Sequence, residues 1–172
     1  MSRAAFIAIA LVGASLTGCA ITSGHPQNAD EFRQAVPGAF MGKLETFEVD
    51  RPFADVAETF QRKAPECLNV TIRTVSSTYQ SYQVIVTTYK PTVVVNGRKA
   101  ELHVQFHHDQ GVMNVTKEPD GGYYLLVADL FPIGDRRTRV DLYRPSMGYD
   151  VLIKGVKGWA RSDSAGCPDL TA

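Results

Sequence analysis

The hydrophobic pattern of the sequence changes its period twice, and this change constrains the fold more than any other feature. Apolar residues between positions 53 and 64 recur every three or four residues, which is typical of an amphipathic helix. Over residues 70–143 the pattern is mostly of period two, in segments rich in Val, Ile, Thr and Tyr, as in β-strands. Over residues 149–159 the helical spacing returns. The chain therefore places a run of strands between two helices.

Short turn signals separate the strand segments and favour an antiparallel sheet. Asn96-Gly97 predicts a tight hairpin, and residues 119–122 predict another turn. One strand, over residues 43–49, precedes the first helix. Residues 123–131 are almost continuously apolar, which indicates a strand buried on both faces. We predict an α+β fold with a single antiparallel sheet of about six to seven strands and with both amphipathic helices, N-terminal and C-terminal, packed on one face.

Capping and breaking residues predict where the two helices begin and end. Asp50 is the predicted N-cap of the first helix, and Pro65 is its predicted end. Pro145-Ser146 is predicted to open the last helix, in which Gly155 and Gly158 would let the helix lie close to the sheet. The order of elements is similar to the helix-grip (START-like) arrangement, a resemblance of fold that assigns no function.

A shorter helix is predicted before the first strand, over residues 28–36. Asn28 is a suitable N-cap, Glu31 follows three residues later, and Pro37-Gly38 ends the helix. The sequence leaves open whether this helix docks on the domain or belongs to an N-terminal tether.

The N-terminus has the three parts of a secretory signal. Arg3 precedes an apolar run over residues 4–12, and small residues follow up to Gly18. The apolar run is shorter than the roughly 20 residues that a membrane-spanning helix needs. The sequence therefore predicts an exported chain.

The last residues of this segment, Leu16-Thr17-Gly18-Cys19, resemble the lipobox of bacterial lipoproteins. The resemblance implies cleavage before Cys19, a diacylglyceryl group on its thiol, and an acylated N-terminus. Ala20, in place of an aspartate, implies sorting to the outer membrane. The predicted organisation is a signal peptide over residues 1–18, a lipidated tether over residues 19–27, and one domain over residues 28–172. The alternative is a plain signal peptide that happens to end near a cysteine.

Cysteine usage predicts a disulfide. The chain has three cysteines, and if Cys19 carries lipid, then Cys67 and Cys167 remain in an oxidising compartment. We predict that these two form a disulfide, which would close a loop of about 100 residues. The alternative is a pair of buried free thiols.

Charge excludes one class of partner. Lys and Arg together number 18, as do Asp and Glu, so the chain lacks the basic excess that is usual in nucleic-acid-binding proteins. Membrane attachment is therefore predicted to come from the lipid on Cys19, because a polybasic patch is also absent. A protein of the envelope or a small apolar ligand is the predicted further partner.

Two clusters invite a ligand interpretation. His103, His107 and His108 lie on one predicted strand, but His103 and His107 would be roughly 13 Å apart, too far to share an ion. We predict no metal or other cofactor and interpret this face of the strand as solvated. Arg136, Arg137 and Arg139 beside a loop could contact an anionic ligand or partner, because guanidinium groups suit carboxylate and phosphate. The alternative is a solvated hairpin end.

No catalytic motif is present in the sequence. The leading hypothesis is a lipid-anchored, periplasm-facing lipoprotein of the outer membrane that binds or assembles without catalysis. The competing hypothesis is an envelope hydrolase that acts on peptidoglycan, lipid or saccharide, which would need a cleft with convergent carboxylates or an activated nucleophile.

Overall fold

The computed structural model describes residues 24–78, 81–108 and 118–171, and for residues 76–78 and 81–83 it describes the backbone alone. The lipobox lies outside the described residues. The helices are α1 (Ala29–Ala35), a 3₁₀ helix (Val36–Gly38), α2 (Phe53–Leu68) and α3 (Asp150–Arg161). The strands are β1 (Gly42–Val49), β2 (Thr71–Thr78), β3 (Ser81–Asn96), β4 (Lys99–His108), β5 (Tyr123–Ile133) and β6 (Arg137–Pro145). Within these ranges, no helix is long and apolar enough to cross a membrane.

The six strands form one antiparallel sheet in the order β1-β6-β5-β4-β3-β2. Strands β2 to β6 follow one another as neighbours, and β1 pairs with β6 from Gly42↔Pro145 to Val49↔Thr138. The β3–β4 turn follows Asn96, and Gly97 adopts a φ of 57°, a conformation that glycine tolerates best. This arrangement confirms the predicted α+β fold with a single antiparallel sheet.

The two long helices cover one face of the sheet, as predicted. Phe60 of α2 and Trp159 of α3 are fully buried, and their rings meet edge to face with centroids 6.2 Å apart. Alternate residues of the central strands complete this core, which contains Leu102, Val104, Leu126, Leu130, Val140 and Leu142. The apolar stripes read from the sequence are thus the buried faces of α2 and α3.

Helix α1 docks on the opposite face of the sheet, here called the outer face. Phe32 and Val36 bury their side chains against Val127 of β5. Asn28 caps the helix by accepting a hydrogen bond from the Glu31 N–H at 2.9 Å. The question left open by the sequence is therefore answered: the short helix belongs to the domain. It also explains why β5 is buried on both faces, as its apolar sequence predicted.

The predicted limits of α2 are wrong at both ends. The helix begins at Phe53 with Pro52 as its N-cap, so Asp50 does not cap it. The helix also continues through Pro65 to Leu68. Cys67 and Leu68 are buried, so the apolar stripe extends for one more turn. This packing outweighs the backbone hydrogen bond that a proline removes near the end of a helix.

The predicted start of α3 is also wrong, and so is the role of its glycines. The helix begins at Asp150, and Tyr149 before it adopts a left-handed φ of 57°. A Cβ on Gly155 would lie 3.0 Å from the Pro168 side chain. The glycines therefore leave room for the C-terminal tail to pack on α3, whereas the prediction was that they let α3 pack close to the sheet. The Trp159 indole N–H donates to the Gly166 carbonyl at 3.0 Å and holds the tail in place.

The tail is also attached covalently. The structure joins Cys67 at the end of α2 to Cys167, with Cα atoms 5.2 Å apart, which is consistent with the predicted pairing. The bond closes a loop of 100 residues. It links the end of α2 to the tail that follows α3.

Replacing both cysteines with serine should lower the free energy of unfolding by about 2–4 kcal/mol, because the unfolded chain gains the freedom of a 100-residue loop. Urea denaturation of the wild type and of the double variant measures this difference. For the wild type, the intact masses under non-reducing and reducing conditions should differ by the mass of two hydrogen atoms. Two free thiols in the purified wild type would contradict the prediction.

Candidate functional site

The sheet splits at one end, where β5 and β6 separate. The two strands pair from Ile133↔Arg137 as far as Val127↔Tyr143. Beyond this point β6 continues beside β1 to Pro145, while β5 continues beside β4 to Tyr123. The sheet therefore ends in two separate parts with a space between them.

A β-bulge lies next to the split. Val104 of β4 pairs with Leu126, but the next residue, Gln105, pairs with Tyr124, so Leu125 is an extra residue in β5. A bulge bends its strand and increases the local twist. The bend occurs where β5 departs from β6, which directs residues 123–125 away from the end of β6.

Helix α1 and the 3₁₀ helix close the outer side of this space, which becomes an apolar groove of about 530 Å³. Gly42 at the start of β1 permits this closure, since a Cβ there would lie 2.0 Å from the Val36 carbonyl oxygen. The lining is mostly apolar and consists of His25, Pro26, Phe32, Ala35, Val36, Ala39, Met41, Gly42, Phe106, Tyr124, Leu125, Arg144, Pro145 and Tyr149. The groove thus lies between the two parts of the sheet, with α1 as one wall.

The cation in this lining is neutralised by its neighbours. The Arg144 guanidinium donates to a Glu45 carboxylate oxygen at 2.9 Å and to the Pro145 carbonyl at 2.8 Å. Lys157 of α3 donates to the other Glu45 oxygen. The hydrogen bond from Lys157, aided by the one from Arg144, lowers the pKa of Glu45 despite its partial burial. The Arg144 guanidinium is therefore engaged by protein groups, and the rest of the groove lining is mostly apolar.

An ion-pair network fixes the helix that forms the wall. Arg33 of α1 donates from Nε and Nη2 to the two oxygens of Asp129 on β5, at 2.8 and 2.7 Å. Nη2 also donates to Glu101 of β4. The Asp129 side chain is 4% exposed and that of Arg33 is 12% exposed. Bidentate pairing of this kind offsets much of the desolvation cost of burying the two charges.

The ionisation of two members of this network, Glu101 and Arg33, is shifted toward their charged forms. Burial would raise the pKa of Glu101, but hydrogen bonds from Lys99, His103 and Arg33 together lower it to about 2. Burial would lower the pKa of Arg33, but its hydrogen bonds to Asp129 and Glu101 raise it above its usual value. Glu101 therefore stays ionised at neutral pH and serves as an acceptor for the cations around it.

The prediction that this face of β4 is solvated is wrong for most of its residues: Glu101 and His103 are largely buried beside Arg33 of α1, while His107 is 43% exposed. Gln105 is buried and donates to the Asp120 and Gly122 carbonyls at 2.9 Å. The three histidines do not converge: His103 contacts Glu101, His107 contacts Glu118, and His108 contacts Thr87, each through one ring nitrogen. Among the residues that the structure describes, no group of three or more His, Cys, Asp or Glu is placed to hold a metal ion.

The structure places the predicted arginine cluster at the end of the sheet opposite the groove. Arg136 is exposed in the β5–β6 turn. Arg137 pairs with Glu48 at 2.7 Å, and Arg139 pairs with Asp141 at 3.3 Å while lying over the Phe131 ring. Because two of the three guanidinium groups already contact carboxylates, an anionic ligand would compete with them. Contact with an anionic ligand or partner stays a prediction, as does lipidation of Cys19, which is outside the described residues.

Arg33, Asp129 and the groove itself were not predicted from the sequence. One signal for the pair was present, because Asp129 interrupts the otherwise apolar segment of residues 123–131. A carboxylate in a strand buried on both faces needs a cationic partner. The groove had no such signal, since it depends on the bulge at Leu125.

Comparison with known proteins adds no family. No family model and no curated protein matches the chain. Among solved structures, the chain is similar to an uncharacterised protein from Bacillus thuringiensis, with 12% sequence identity and a TM-score of 0.27. The similarity covers 67% of this chain and 90% of the other. At this TM-score it supports no conclusion about this protein.

Replacing Arg33 with alanine should lower the free energy of unfolding by about 2–4 kcal/mol, because Asp129 and Glu101 would lose a buried partner. The matched control is Arg137→Ala, which breaks an exposed pair and should cost about 0–1 kcal/mol. Urea denaturation at neutral pH measures both. Equal losses in the two variants would show that the Arg33 network does not fix α1.

Stability at acid pH should depend on Glu101. The pKa of Glu101 falls from its ordinary 4.5 to about 2 on folding, so its contribution is complete above pH 4.5 and is lost as the pH drops toward 2. The unfolding free energies of the wild type and of Glu101→Gln should therefore differ most at neutral pH and converge between pH 4.5 and 2. The exposed Glu48→Gln serves as control. A constant difference across the series would contradict this role.

Proposed function

We propose that this protein is a lipid-anchored, periplasm-facing binding module of the bacterial outer membrane, and that its groove binds an apolar chain without catalysis. The anchor is the acylated Cys19 implied by the lipobox resemblance. The binding site is the groove between β5 and β6. The observation that carries the proposal is the apolar lining of this groove beneath a fixed helix wall.

The size and chemistry of the groove support an apolar ligand. Its volume of about 530 Å³ lies within the range that is usual for small-molecule sites. Met41 and Tyr149 contribute exposed apolar surface to the lining, and the Arg144 charge is held by Glu45. Transfer of hydrocarbon from water to such a surface is favourable by about 0.8 kcal/mol for each buried CH₂ group.

The space between the sheet and the two long helices is a weaker candidate. In helix-grip-like folds this is where a cavity would be expected, but here Phe60, Leu152 and Trp159 fill it and are essentially unexposed. An apolar ligand there would have to displace packed core side chains, each of which contributes roughly 1.5–3 kcal/mol by its burial. The groove needs no such displacement.

The hydrolase hypothesis finds less support in this arrangement. A general acid needs a carboxyl group that is protonated near the working pH. Glu101 has its pKa lowered to about 2, and the Asp129 side chain is 4% exposed and therefore out of reach of a substrate. These carboxylates attach α1 to the sheet, and they lie beneath the helix rather than at an open cleft.

The groove can be tested with a fluorescent fatty acid, dansyl-labelled undecanoic acid. The protein is the mature chain with Cys19→Ala, which should carry no lipid and fractionate as a soluble protein. Saturable binding is expected, and Ala35→Phe should weaken it about tenfold, because a ring on this wall excludes roughly two CH₂ groups. Ala54→Phe, at an exposed position on α2, is the matched control and should leave binding unchanged.

Three outcomes would count against the proposal. Absence of saturable binding, or equal weakening by both phenylalanine variants, would remove the groove as the binding site. An intact mass of the mature wild-type protein without lipid on Cys19 would remove the lipid anchor.

A further inference from the structure

Exposed apolar side chains gather around the mouth of the groove. Phe40 is 98% exposed, Met41 44%, Met147 64% and Tyr149 42%, and these four residues are here called the apolar rim. Other large apolar residues that are exposed in the described ranges are Leu44, Val75, Val94, Val95 and Val151. An apolar cluster of this kind on a protein surface marks a site of contact with a partner or a membrane.

The rim is a single surface, although its residues come from two loops. The Ser146 N–H donates to the Met41 carbonyl at 2.8 Å, so the loop before β1 lies against the loop after β6. Met41 and Tyr149 line the groove together with His25 and Pro26. The His25 ring also meets the Tyr123 ring, with centroids 4.7 Å apart. The rim, the groove mouth and the N-terminal segment therefore lie at the same end of the domain.

This end lies close to the predicted lipid. Gly24, the first residue described, is five positions after Cys19. A fully extended chain of that length spans at most about 18 Å. A lipid on Cys19 would therefore hold the groove end of the domain near the bilayer surface. A large apolar side chain exposed there has hydrocarbon within reach.

The opposite end of the sheet has a different character. Its turns contain Arg98 after β3 and Asp135-Arg136 after β5, and these residues are exposed, while the exposed apolar residues near this end are the smaller Val94 and Val95 of β3. Charged turns of this kind favour water over the bilayer interface. The end of the sheet near the predicted lipid is thus the more apolar one, and the end far from it is the more charged one, as anchoring at the groove end requires.

We propose that the apolar rim rests in the interfacial region of the bilayer that holds the Cys19 lipid, so that the groove opens toward the membrane. The proposal depends on the lipid anchor of the proposed function. The proposal also specifies the source of the apolar chain, which is a lipid of that membrane that enters the groove at the rim. The arginine end of the domain then faces the periplasm.

The test uses the mature lipidated protein, which begins at Cys19, in phosphatidylethanolamine–phosphatidylglycerol vesicles with and without brominated acyl chains. Phe40→Trp places an indole on the rim, and Met147→Trp is a second reporter at another rim position. Arg98→Trp is the control at the opposite end. The native Trp159 is the single tryptophan of the chain and is fully buried, so it provides a constant background. The intact mass of each mature protein reports the lipid on Cys19.

The expected result is blue-shifted emission from both rim reporters and loss of most of that emission in brominated vesicles, with little change for Arg98→Trp. Unquenched rim reporters on a protein whose mass includes the lipid would overturn the membrane contact and leave the anchor intact. Equal quenching at both ends would also overturn it. A mature mass without lipid would overturn the anchor and the contact together.

Discussion

The buried ion pair between Arg33 and Asp129 determines which surfaces of the sheet remain available. An aspartate in the middle of a buried strand loses its hydration and needs a hydrogen-bonded cation. The chain supplies this cation from α1, and Phe32 and Val36 are brought onto the outer face by the same contact. Attachment of the helix covers the centre of that face and at the same time forms one wall of the groove.

The groove follows from a local irregularity in the sheet. One extra residue in β5 bends that strand away from β6, and α1 forms one wall of the space between them. The neighbouring charges are matched in pairs across elements, Arg144 with Glu45 and Arg33 with Asp129. The site is therefore fixed in shape, and the arginine in its lining is held by a carboxylate that it shares with Lys157, which leaves a mostly apolar lining for a ligand recognised by its apolar surface.

The sequence predicted those parts of the structure that depend on periodicity. The stripes of α2 and α3, the antiparallel strands and the double burial of β5 all follow from the spacing of apolar residues. The end of α2 could not be predicted in this way, because the packing of Cys67 and Leu68 extends the helix past Pro65. The role of Gly155 could not be predicted either, because it depends on contact with Pro168 of the tail. The groove could not be predicted, since it arises from tertiary pairing: a one-residue shift of register leaves no mark in a segment such as residues 123–131, which is apolar at almost every position.

The position of β1 has a consequence for how the chain reaches this structure. β1 is the first strand to be synthesised, but it pairs with β6, the last strand, so that Gly42 lies opposite Pro145. Contacts between residues so distant in sequence slow folding, because the entropy of closing a long loop must be overcome before they form. The meander from β2 to β6 can assemble from local hairpins, whereas β1 and the α1 wall attached beside it must wait for the end of the chain. The binding groove is therefore expected to be among the last features to form.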